Sequence, residues 1–74
     1  MSAAEPPTDA ALDAEYAALR AEHARLEQEH ESLKAAPKDL EAHRAHVVRL
    51  RSHLQRLHAY IDARHKRARE LGQP

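Results

Sequence analysis

The stretch Leu33-Lys34-Ala35-Ala36-Pro37-Lys38-Asp39-Leu40-Glu41 decides how this chain folds. A prolyl ring pushes the residue before it out of helical backbone, so Ala36 closes any helix arriving from the N-terminal side. Pro37 lacks an amide proton that the first turn of a helix leaves unbonded anyway. Asp39 and Glu41 put carboxylates where a new helix has its positive end. The stretch therefore reads as a stop followed at once by a start.

Outward from it, large aliphatic side chains recur every seven residues: Leu12, Leu19, Leu26 and Leu33 before the proline, then Leu40, Val47, Leu54 and Ile61. Such a repeat is a helix–helix seam. The companion positions separate a hairpin from one kinked rod. Before the proline they lie four residues after each Leu, at Tyr16, His23 and His30; after it they lie three after, at His43, Leu50 and Leu57. Continuing the first frame would put Pro37, Arg44, Arg51 and His58 in the seam. The pattern changes phase at the proline, and a short turn there makes the two helices antiparallel. The expected fold class is all-α, an antiparallel two-helix (αα) hairpin that is coiled-coil-like and dimerises into a four-helix bundle. The expected interaction seam is Leu12, Tyr16, Leu19, Leu26, Leu33, Leu40, Val47, Leu50, Leu54, Leu57 and Ile61.

The expected organisation is a disordered N-terminal tail over 1–7, an acidic amphipathic helix over 8–36, a basic amphipathic helix over 37–71 after a turn at Pro37, and a tail over 72–74. Thr8 caps the first helix, and Gly72 supplies the residue beyond the end of the second. A formal net charge of zero conceals an asymmetry. Residues 1–36 carry eight acids against three bases, a net of −5, while residues 37–74 carry nine bases against four acids, a net of +5. Complementary halves attract when the chain folds back, and they also favour antiparallel pairing between chains.

With the turn centred near Pro37, residues whose numbers sum to about 74 face one another. Leu26 then meets Val47 or Leu50, and Leu19 meets Leu54 or Leu57. On the edges Glu29 falls beside His46, Glu22 beside His53, Glu27 beside Arg44 or Arg51, and Asp13 beside His58 or His65. A carboxylate favours the protonated form of a neighbouring imidazole, so such edges would make stability respond to pH near neutrality.

Composition removes several function classes. The 74 residues contain two tyrosines, no Phe, no Trp and no Cys, so the core is thin and neither a disulfide nor a thiolate metal site is available. His30, His43 and His46 could bring three imidazoles near the turn, yet the histidines follow the helix repeat and no HExxH motif is present, so no cofactor or metal is expected. Hydroxyls are few and a two-helix hairpin has no concave pocket, so no catalytic residues are expected and the chain reads as a non-enzyme. No basic n-region with an apolar h-region stands at the N-terminus, and no stretch reaches the roughly 18 apolar residues of a membrane span. The expected localisation is cytoplasmic, with no membrane partner and no small-molecule substrate. Nucleic acid is the alternative partner, through Arg64, Lys66, Arg67 and Arg69 at the basic end of the second helix.

The string Glu15-Tyr16-Ala17-Ala18-Leu19-Arg20-Ala21-Glu22-His23-Ala24-Arg25-Leu26, with Leu33 after it, resembles the first helix of the YdcH-like family of small bacterial proteins. The resemblance covers residues 13 to 61. Where that family has a Lys-rich second helix, this chain has Arg49-Leu50-Arg51-Ser52-His53-Leu54-Gln55-Arg56-Leu57. The resemblance implies a small cytoplasmic helical hairpin of unassigned function and carries over no functional residues. The function expected from the residues themselves is a small protein–protein interaction module, a homodimer or an adaptor to another helical protein.

Overall fold

The computed structural model describes residues 8–72; the tail expected over 1–7 and residues 73–74 of the one expected over 72–74 lie outside them, while Gly72 is helical. Two helices, α1 (Asp9–Lys34) and α2 (Leu40–Gly72), fold back on one another as an antiparallel all-α hairpin, with no strand among the described residues. The hairpin is a slab of 56 × 22 × 18 Å. Neither helix is long and apolar enough to cross a membrane.

Local chemistry sets the helix ends. Thr8 is extended and its Oγ1 accepts from the Ala11 amide at 3.1 Å, which satisfies one of the donors that a first turn leaves free. At the other end Ala35 caps α1, its N–H donating back to the Ser32 carbonyl and that of Ala36 to the Leu33 carbonyl. Pro37 lies in the connection and not in the first turn of α2 as the sequence suggests. The cap of α2 is Asp39, whose Oδ1 accepts from the Ala42 amide at 3.1 Å and whose carbonyl accepts from His43. A side-chain acceptor satisfies an amide, whereas Pro37 only omits one, so the helix starts after the stronger signal. Gly72 is the last helical residue and no glycine has positive φ, so the expected left-handed stop at this position is not used.

The core is one row of leucines. Leu12, Leu19, Leu26 and Leu33 are buried, in the heptad that the sequence marks. The row they meet differs from the expected one. His46 and His53 are the buried residues of α2, followed at the same interval by Tyr60 and Arg67, both half-buried. Leu40, Val47, Leu54 and Ile61 are instead exposed, at 70%, 49%, 45% and 38%. Of the companion residues, Leu50 is exposed, Leu57 half-buried and Tyr16 exposed, while His23 and His30 are exposed and not in the core. The repeat through Pro37 is thus real in sequence but divided in space. The row before the proline closes the hairpin, and the row after it is turned about 100° away from the contact line, the rotation of a single residue.

Charge explains this choice of rotation. The face presented by α2 carries Arg49 onto Glu29, Arg56 onto Glu15, Arg64 onto Asp13 and Arg67 onto Asp9. Turning α2 by one residue to bury Val47, Leu54 and Ile61 would draw Arg49 and Arg56 away from their acids.

Candidate interaction face

Three ring pairs fix the register of the hairpin. Tyr16 stacks on Tyr60 with centroids 5.9 Å apart, His23 lies 6.1 Å from His53, and His30 lies 5.9 Å from His46. Each pair of numbers sums to 76, a slip of two from the expected register that reflects the turn's extending past Pro37 to Asp39. These rings form a ladder with steps of seven residues along one side of the leucine row.

On the other side of the row the hairpin is closed by charge. Glu15 takes both Arg56 Nε and Nη2 at 2.7 Å, and Glu29 takes Arg49 Nε at 3.1 Å together with His46 Nδ1 at 2.5 Å. The Arg56 guanidinium hydrogen-bonded to Glu15 holds that carboxyl below its ordinary range, and Arg49 followed by His46 does the same for Glu29. The expected contact of Glu29 with His46 is therefore present. Asp13 instead meets Arg64 at 2.7 Å, next to the expected His65, and Glu27 turns to His23 of its own helix at 2.6 Å.

The two broad faces of the slab consequently differ. Arg49 and Arg56 lie on the face closed by bidentate ion pairs. The opposite face carries the ring ladder and an open groove of about 520 Å³, lined among others by His23, Leu26, His30, His46 and Leu50. By helix geometry the row Val47, Leu54, Ile61 continues from Leu50 and Leu57 on that same side, about 60° further round α2 than the contact line's Leu50 edge. Val47, Leu50, Leu54, Leu57 and Ile61 alternate in steps of three and four, the spacing of a coiled-coil seam, and no described side chain covers them fully.

The residues of the remaining readings are placed as follows. His43 Nε2 donates to the Ala36 carbonyl at 3.0 Å across the turn, His46 Nδ1 faces Glu29, and His30 lies ring to ring with His46. Among the described residues no group of three or more His, Asp or Glu is placed to hold a metal ion. Of the four basic residues at the end of α2, Arg64 is held by Tyr60 and Asp13, and Arg67 by Asp9. Only Lys66 and Arg69 of that cluster have no ion pair among the described residues. Sequence reasoning missed the inward histidines, although the run His46, His53, Tyr60, Arg67 has the same interval of seven as the aliphatic row beside it.

Comparison with protein-family models, with curated proteins and with solved structures finds no match to this chain.

Proposed function

We propose that this chain is a small helical protein–protein interaction module without catalytic activity, and that it binds through the groove face. The observation that carries the reading is the row Val47, Leu50, Leu54, Leu57 and Ile61, which has the spacing of a helix seam but is only partly covered, Leu57 being half-buried and the other four 38–49% exposed, while the hairpin core is built from other residues. Contiguous apolar surface on a small chain costs solubility unless something covers it. Internal ion pairing of Arg64 and Arg67 speaks against the nucleic-acid alternative, because phosphate would have to displace Asp13 and Asp9. The same reading suits the helical-hairpin class that the YdcH-like resemblance implies, and a cytoplasmic setting is part of the proposal.

A photo-crosslinking amino acid placed at Leu54 tests it in cells making the chain at its native level, with the same group at Gln55, on the back of α2, as control. The expected result is a discrete covalent adduct from position 54 that is absent from position 55. Equal or absent adducts from the two positions would overturn the reading.

A further inference from the structure

The groove face has a second property besides its apolar row. Along its α2 edge, one step outside Val47 and Leu54, stand Arg44 and Arg51, exposed and without an acid partner among the described residues. The remaining cations that face α1, Arg49, Arg56, Arg64 and Arg67, are all paired across the hairpin. Along the α1 edge of the same face stand Glu27 and Glu31, also exposed, whose contacts are local ones to His23 and Lys34. These two arginines and two glutamates therefore border one apolar face on opposite sides, with Lys34 and Arg20 of α1 along the glutamate side.

Resting on the proposed interaction role, we infer that the occupant of this face is a second copy of the chain, its α2 laid on the α1 of the first and its α1 beneath the α2. A two-fold axis parallel to the helices produces this arrangement, in which every helix has antiparallel neighbours, as in an up-and-down four-helix bundle. Such an axis keeps each residue at its own height along the slab. In the observed register Arg44 stands level with Ser32, beside Glu31, and Arg51 level with Arg25, one half-turn from Glu27. Across the axis Arg44 therefore meets the partner's Glu31, and Arg51 meets the partner's Glu27. Val47, Leu54 and Ile61 come down on the partner's Tyr16, His23 and His30 row. The other two-fold, perpendicular to the helices, would stack the basic α2 on its own copy and the acidic α1 on its own copy, so charge selects against it.

Sedimentation equilibrium reads this directly. The wild-type chain, 8.4 kDa per copy, is expected to sediment as a dimer, and Leu54→Glu as a monomer with unchanged helical circular dichroism. The arrangement is read by a charge exchange. Arg44→Glu/Arg51→Glu in one variant and Glu27→Lys/Glu31→Lys in another are each expected to weaken self-association at least tenfold, while an equimolar mixture of the two recovers a dimer, because every edge in the mixed pair is again opposite in sign. A wild-type chain that stays monomeric at high concentration would overturn the inference. So would a dimer that both variants retain, or a mixture that recovers nothing while each variant keeps its helicity. None of these outcomes removes the interaction role, which falls on the crosslinking result alone, when positions 54 and 55 give equal adducts or none.

Discussion

His53 is the least comfortable residue in the hairpin. Its ring is buried, its neighbour at 6.1 Å is the His23 ring, and its Nδ1 has no hydrogen-bond partner. An unpaired buried polar atom costs about 1 to 3 kcal/mol, while a leucine of similar size would fill the same space without that penalty. His53→Leu is therefore expected to raise the thermal midpoint, by about 4 to 8 °C for each kcal/mol recovered in a chain of this size. A lower midpoint in calorimetry would mean that the imidazole makes a contact worth more than its burial costs. The leucines opposite set the scale for comparison. Leu26 is 5% exposed, and Leu26→Ala should cost about 2 to 5 kcal/mol, several times the 0 to 1 kcal/mol of a single exposed ion pair. A thin core tolerates this poorly, so the variant is expected to lose most of its cooperative unfolding transition when followed by circular dichroism.

The turn from α1 to α2 is where element-level chemistry has most effect. Asp39 Oδ1 is the side-chain acceptor for the first turn of α2, and replacing such a cap by alanine costs about 1 kcal/mol. Asp39→Ala should lower the urea midpoint, and Asp39→Ser should restore most of it, since a hydroxyl caps nearly as well; equal loss in both variants would assign the effect to charge instead. This element also shows what the sequence could and could not tell. A break ahead of Pro37, the cap at Thr8 and the row Leu12 to Leu33 were legible, because each rests on a local rule that tertiary contacts had no reason to override, although α1 stops at Lys34, two residues before the expected Ala36. The inward row of α2 was not. A heptad of aliphatics and a heptad of histidines run side by side one residue apart, at 47, 54, 61 and at 46, 53, 60, and hydrophobicity favours the first. The balance is set by which arginines reach which acids, and that depends on the rotation of α2, which in turn depends on whether Pro37 or Asp39 begins it. The proposed face was visible as residues, but its separation from the hairpin core was not.

At the scale of the whole molecule the acidic helix and the basic helix hold each other through a closed face and leave an open one. Their attachment depends on carboxylates that are charged in the fold. Glu15 and Glu29 are both held below the ordinary value of 4.5, through hydrogen bonds from Arg56 and from Arg49 with His46 respectively. A carboxyl whose value is depressed on folding binds protons more weakly in the hairpin than in the unfolded chain. Its contribution is thus complete above the unfolded value, and it is lost as the pH falls through the folded one. Stability of the hairpin should therefore be level with respect to these two groups near neutrality and decline below about pH 4.5. Measured in the Leu54→Glu background, chosen to remove the proposed pairing between copies, Glu15→Gln/Glu29→Gln should lower the thermal midpoint at pH 7 and flatten the acid limb between pH 5 and pH 3, roughly the range over which such carboxyls take up protons. High salt should narrow the gap between this variant and its parent at neutral pH, since both pairs lie on the surface. An acid limb as steep without these carboxylates as with them would show that the closed face is held by its leucine row alone, and that the arginines of α2 only choose which way it turns.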